Sequence, residues 1–276
     1  MRLPAALLLI ATFFPVFACC QTWSQDALPR QCLLSRPKVC ALHVVQDEEG
    51  ILASPSRTSA KDLLWLVPFG VATGVAIDYD AHAMRSLGVD PQRENRFETI
   101  SDFGAIYAPI AASGAGYFIG NATHNGLMRE TAVLSAEAAV DSVILDEGLK
   151  YAINRERPDQ GDGTGRFWPH GTRTWPDGQS MPSGHAMVAW SFAHVVADQY
   201  SGPATKVVVY SLATTVSVSR VLARQHFPSD VLVGSVFGYL IGGYVEHRRS
   251  RESAFSLSTV ATPNGRGLQL SYNFAH

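Results

Sequence analysis

Ser219-Arg-Val-Leu-Ala-Arg-Gln-His226-Phe-Pro-Ser-Asp230 is the stretch on which the reading of this chain turns. An apolar helical run precedes it, at about 204–224, and another follows it. Pro228 suits the first turn of the second helix, which runs on through Val231–Val245. His226 and Asp230 are four residues apart, one helical turn. A carboxylate bonded to one imidazole nitrogen fixes the tautomer and aims the other nitrogen outward. That arrangement suits an imidazole that attacks phosphorus, although an isolated His–Asp pair is more often a surface pair. Arg220 adds a cation beside it.

Working outward, Pro182-Ser183-Gly184-His185 reads as a helix start, with Ser183 as the cap and an apolar run from Ala186 to Ala197. The free N–H groups of a helix N-terminus favour anions, Gly184 admits backbone close to a ligand, and His185 stands next to both. Further out lies Lys150-Tyr-Ala-Ile-Asn-Arg-Glu-Arg157-Pro158. Lys150 and Arg157 are seven apart, close to two turns, so one helix would present both to the same side until Pro158 ends it. Arginine offers phosphate a planar fork and lysine a point charge. Each segment alone has a bland alternative: solvated charges, or a common turn. Together they can hold a tetrahedral oxyanion and attack it.

The three segments, in this order and with these intervals, resemble the PAP2 superfamily. It includes the type 2 phosphatidic acid phosphatases, the bacterial class A acid phosphatases and the vanadium haloperoxidases. The family pattern is K-x6-RP, then PSGH, then SR-x5-H-x3-D. Lys150 with Arg157-Pro158, Pro182–His185, and Ser219-Arg220 with His226 and Asp230 match it. The resemblance covers roughly residues 100–245. It implies that His226 is the nucleophile and forms a phosphohistidine, that Asp230 orients it, and that His185 protonates the leaving alkoxide. It further implies that Lys150, Arg157, Ser183, Gly184 and Arg220 hold the phosphate oxygens. Phosphoryl transfer rests mainly on positioning and charge stabilisation, which agrees with this residue set. No HExxH, CxxC pair or EF-hand loop is present, so metal independence and no cofactor are expected, with vanadate only under a haloperoxidase reading.

Composition narrows the setting. Net charge is −2, which gives no electrostatic footprint for nucleic acid. Charged residues are 17% of the 276, below the usual value of about 25%. Residues 1–18 read as a signal peptide, with Arg2, an apolar stretch at Ala5–Phe14 and small residues ending at Ala18. Export to the cell envelope follows, with a periplasmic-facing site. Cys19 raises lipidation, and Cys32 with Cys40 a small disulfide loop, against two free thiols.

The expected fold is mainly α, a bundle of about six core helices with a C-terminal β-hairpin. An irregular extension at 19–60 precedes the helical domain at 61–250. Its helices are expected near 62–78, 103–121, 130–154, 185–199, 204–224 and 228–247. The Pro158–Met181 loop, with Trp168, His170 and Trp175, joins two site segments and is expected beside the site. In the tail, 251–276, apolar residues alternate with polar ones on either side of Pro263-Asn264-Gly265, a hairpin pattern.

Hydropathy leaves soluble and membrane settings open, with membrane embedding or tight association favoured. Gly104–Met128 lacks Asp, Glu, Lys and Arg for more than eighteen residues, and Glu137 and Asp141 would be costly facing lipid. Gly234, Gly238 and Gly242 permit close helix packing.

The leading function is an exported, metal-independent phosphatase of phosphomonoesters or diphosphates, probable substrates being lipids: phosphatidate, phosphatidylglycerophosphate or undecaprenyl diphosphate. A broad-specificity periplasmic acid phosphatase, a vanadium-dependent haloperoxidase and a non-enzymatic envelope binding module are the alternatives.

Overall fold

A computed structural model describes residues 37–169, 179–262 and 265–272, with side chains as far as residue 250. The leader at 1–18, Cys19, Cys32, His170, Trp175 and the turn residues Pro263 and Asn264 lie outside the described residues. Cys40 is disulfide-bonded.

The chain is mainly helical, in the order α1 (Pro37–Leu52), α2 (Leu63–Leu87), α3 (Pro91–Asp102), α4 (Ala108–Ala122), α5 (Gly126–Ile153), α6 (Gly184–Gln199), α7 (Pro203–Leu222) and α8 (Pro228–Ala254). A π-helical turn at Phe103–Tyr107 joins α3 to α4. Beyond α8 the backbone runs as two antiparallel strands, β1 (Phe255–Thr262) and β2 (Gly265–Tyr272), with Phe255 opposite Tyr272.

Local chemistry accounts for the helix ends. Asp90 caps α3 by accepting from the amides of Gln92 and Arg93, with Pro91 at the first helical position. Asn125 caps α5 by accepting from Met128 at 3.0 Å. Asn154 closes α5 in the left-handed conformation at φ 45, which asparagine tolerates.

α6 is the central helix. Ala186, Met187, Ala189, Ala193, Val195 and Ala197 are buried around its circumference, the pattern of a helix enclosed on all sides. Leu134 and Ala138 of α5, Met187 and Val195 of α6, and Ile241 and Val245 of α8 form one core cluster. Ala105, Ala189, Ala193, Ala213 and Val216 form a second, between α6, α7 and the π turn. α8 crosses α6 on the glycine stripe, where Gly234, Gly238 and Gly242 face the backbones of Ser183, Met187 and Ser191.

Several expectations change. Residues 37–52, read as irregular, form α1, and α3 was not anticipated. The helix expected at 62–78 continues to Leu87. Glu137 and Asp141 turn inward rather than toward lipid, at 4% and 0% exposure. Glu137 pairs with His43 at 2.9 Å and with Arg249 at 3.3 Å, so α1 is tied to α5 and α8 by charge. A buried carboxylate next to a guanidinium avoids the cost of an unpaired buried charge.

Candidate active site

The three motif segments meet where the C-terminal ends of α5 and α7 approach the N-terminal ends of α6 and α8. Two backbone bonds stitch them together. The Ser180 amide donates to the Arg155 carbonyl at 3.0 Å, and the Ser183 amide donates to the Asp230 carbonyl at 3.0 Å.

His226 sits in the short break between α7 and α8, 1% exposed. Its Nδ1 lies 2.7 Å from the Ser180 carbonyl oxygen and 3.9 Å from Asp230 Oδ2. A carbonyl only accepts, so Nδ1 carries the proton and Nε2 keeps the lone pair. The expected direct Asp230–His226 bond is therefore absent, because His226 precedes α8 and the two residues do not share a helical turn. Asp230 acts at one remove. Its Oδ2 accepts from Ser180 Oγ at 2.6 Å and from the Phe227 amide at 2.8 Å, gripping the residue that holds the imidazole and the residue that follows it. Burial, with Arg220 and Arg157 nearby, holds the His226 pKa well below the usual histidine range, so the ring is neutral at ordinary pH.

His185 lies in the first turn of α6. Its Nε2 is 3.0 Å from Asp102 Oδ1, and the same oxygen accepts from Arg220 at 3.3 Å. Burial and the Arg220 charge lower the His185 pKa to about 4, while Asp102 works in the opposite direction. Arg220 also donates to Ser101 Oγ at 3.0 Å.

Lys150 contacts Asp146 at 2.6 Å and Glu147 at 3.2 Å. Arg157 donates to Gln225 Oε1 at 2.8 Å. The expectation that Lys150 and Arg157 share one helix is corrected: α5 ends at Ile153, before Arg157. Asn154 turns the chain first, and Arg155 then pairs with Phe167 in an isolated antiparallel bridge.

Ser183 precedes α6 in extended conformation, but its hydroxyl does not cap the helix. Ser183 Oγ and Arg220 Nε are both buried without a hydrogen-bond partner. Buried donors are nearly always satisfied, so two orphans among these cations and histidines mark the place where an oxyanion fits. Gly184 allows a close approach, though to protein: a Cβ there would lie 2.3 Å from Asp146 Oδ2 of α5. Among the described residues, no group of three or more His, Cys, Asp or Glu could hold a metal ion.

Four contributors were not read from the sequence: Asp102, Ser180, Asp80 and Arg155. Arg155 is sandwiched between Phe167 and Phe227, 4.9 and 4.4 Å from the ring centroids. Asp80 had one available signal, shared with Asp78: a carboxylate following a long apolar helical run, which must find a partner if buried. Asp102 and Ser180 had none.

The PAP2 superfamily model matches residues 131–252, a segment that contains all eight candidate site residues. Over that segment the chain is similar to the PAP2 superfamily. A lipid A 1-phosphatase of Porphyromonas gingivalis is 26% identical over 190 residues, 68% of this chain and 38% of the relative. A lipid A 1-phosphatase of Rhizobium etli is 33% identical over 99 residues, 36% of this chain and 42% of the relative. The chain thus spans about two fifths of the length of these curated relatives. A transmembrane PAP2 type phosphatidylglycerolphosphate phosphatase from Bacillus subtilis is a similar solved structure, with TM-score 0.47 and 20% identity, covering 79% of this chain and 98% of that one.

Proposed function

We propose that this protein is a phosphoric-ester hydrolase that removes phosphate from a membrane lipid through a phosphohistidine on His226, without a metal. The observation that carries the reading is the pair of buried, orphaned donors, Ser183 Oγ and Arg220 Nε, in the segments that meet around a neutral, buried His226.

In the first step His226 Nε2 attacks phosphorus and the bond to the leaving oxygen breaks. His185 gives that oxygen a proton. In the second step water attacks phosphorus, His185 takes the water proton, the N–P bond breaks, and inorganic phosphate leaves. Arg220, Arg157, Lys150 and Ser183 Oγ stabilise the charge that spreads over the equatorial oxygens. His185 is the uncharged imidazole at neutral pH in the free protein, and a bound phosphate dianion restores the second proton by favouring the charged imidazole.

The lipid part of the proposal rests on α2. It is 25 residues long, long and apolar enough to cross a membrane, and only 6% of its most apolar 18-residue window is buried. Leu64, Val71 and Val75 are 80%, 62% and 65% exposed. An apolar helix surface of this size needs lipid or a partner to cover it. The named relatives act on lipid A, which directs the search toward a phosphorylated glycolipid as well as phosphatidate, phosphatidylglycerophosphate and undecaprenyl diphosphate.

The test is phosphate release by the purified protein in detergent with EDTA present, beside His226→Ala. An aryl phosphate, phosphatidate and lipid A carrying a 1-phosphate are offered in parallel. Release from a lipid by wild type, and none by His226→Ala, is expected. Preference for the aryl phosphate would select a general acid phosphatase. Loss of activity in EDTA would overturn the metal-free mechanism.

A further inference from the structure

Asp80 lies on α2, outside residues 131–252, and is fully buried against the site. Arg155 bridges it to Asp230. One guanidinium nitrogen of Arg155 donates to Asp80 Oδ2 at 2.7 Å, and another donates to Asp230 Oδ1 at 2.6 Å. The second also donates to Ser229 Oγ at 2.7 Å, and that hydroxyl donates to Asp80 Oδ2. Asp80 Oδ1 accepts from the Ser229 amide at 3.0 Å. All three charged side chains have 0% side-chain exposure.

With Oδ1 held by Arg155 and Oδ2 by Ser180 Oγ and the Phe227 amide, Asp230 has no freedom to rotate. Ser180 in turn presents the carbonyl that fixes the His226 tautomer. A continuous chain of hydrogen bonds therefore runs from Asp80 through Arg155, Asp230 and Ser180 to the nucleophile. A buried ion network is weak evidence of stabilisation, since apolar residues of equal volume often stabilise as much. It does fix geometry, because the planar guanidinium holds Asp80 and Asp230 on two of its nitrogens at once while Ser229 engages both oxygens of Asp80.

We infer that Asp80 is a positioning residue for the reaction: through Arg155 it clamps Asp230 and Ser180, and so holds His226 at its attack angle. The inference rests on the reading of His226 as nucleophile. It also couples the candidate membrane span to the nucleophile.

The experiment uses the full chain in detergent and the isosteric change Asp80→Asn, well below its melting temperature. The expected result is a fall in kcat of about tenfold, equivalent to about 1.4 kcal/mol, with KM within about twofold because the phosphate-holding cations are untouched. The amount of phosphoenzyme trapped in the burst should fall in step. An unchanged kcat with a lowered melting temperature would make the bridge a structural anchor only and sink the inference. If Asp80→Asn does not fold, Ser229→Ala keeps all three charges and removes the bridging hydroxyl. Its kcat should fall about threefold at constant KM, and an unchanged kcat again refutes the clamp. If wild type hydrolyses no phosphate offered, the functional reading has failed, and vanadate binding decides the clamp separately. Vanadate bonds to the imidazole nitrogen and sulfate does not. Weaker vanadate binding by Asp80→Asn at equal sulfate affinity upholds the positioning role, and equal affinity for both refutes it.

Discussion

Replacing Gly238 by alanine puts one methyl group into the contact between α8 and α6. The added Cβ would lie 2.2 Å from the Met187 carbonyl oxygen and 2.8 Å from Met187 C and Cα, against the 3.4 Å at which ordinary contact begins. These are backbone atoms of a central helix, so no side chain can rotate away. The helices must part by roughly an ångström, which loosens Met187, Val195, Ile241 and Val245 of the core cluster. Overpacking costs up to about 3 kcal/mol, and a backbone clash belongs at the upper end. At about 2–4 °C per kcal/mol for a chain of this size, melting should fall by about 6–12 °C. Activity should fall too, since α6 carries Ser183 and His185 while α8 carries Asp230. The assay is a thermal melt in detergent alongside phosphate release, with Gly74→Ala as the control. Nothing lies within 4 Å of a Cβ at Gly74. There the same substitution gains up to about 1 kcal/mol of helix propensity. A Gly238→Ala protein that melts with wild type, or a Gly74→Ala protein that loses as much, would refute the reasoning.

Asp102→Asn removes the carboxylate that favours protonated His185, so the general acid weakens. The rate on an alkyl phosphate should fall by about 10²-fold or more, and far less on an aryl phosphate whose leaving group needs no proton; equal losses on both would refute the role. Ser183→Ala should raise KM and lower kcat together by about tenfold with little change in melting, because its buried hydroxyl bonds nothing in the protein. A large stability loss would show a structural role instead. The unfolded chain protonates its histidines near 6.5, whereas folded His185 does so only near about 4 and His226 well below 6.5. Their contribution to stability is complete above 6.5 and is lost as pH falls from there toward about 4, since the unfolded state binds more protons in that window. Across that window acidification should cost wild type more melting temperature than His185→Gln, with the raised carboxyl pKa values of Asp47, Asp141 and Asp146 acting in the opposite direction in both proteins; parallel slopes would refute the assignment.

The residues with local signatures were legible. The start of α8 at Pro228 follows from proline chemistry that acts within one turn, and α6 starts after Ser183 as expected although that hydroxyl makes no cap bond. The inward glycine stripe at 234, 238 and 242 is a four-residue period on one helix face. The expected end near 154 agrees with α5 ending at Ile153, but Pro158 does not set it: Asn154 turns the backbone first and leaves Arg157 off the helix. α1 and α3 were missed because neither carries a strong apolar periodicity, and α1 is held by the Asp47, Glu137 and Arg249 charges.

By itself, the sequence determined which chemistry the chain carries: two histidines, three cations and a helix N-terminus at intervals that suit one oxyanion. Only the tertiary structure decided how the His226 ring is held. The carboxylate beside His226 proved to work through Ser180, 46 residues away from His226, and through Arg155 and Asp80 behind it. Asp80 is separated by 149 residues from the Ser229 it contacts, and Asp102 by 83 from His185. Hydrogen bonds across such separations leave no periodicity or cap in the chain. They exist because helix packing brings those side chains together in a buried place where an unpaired charge is too costly to persist.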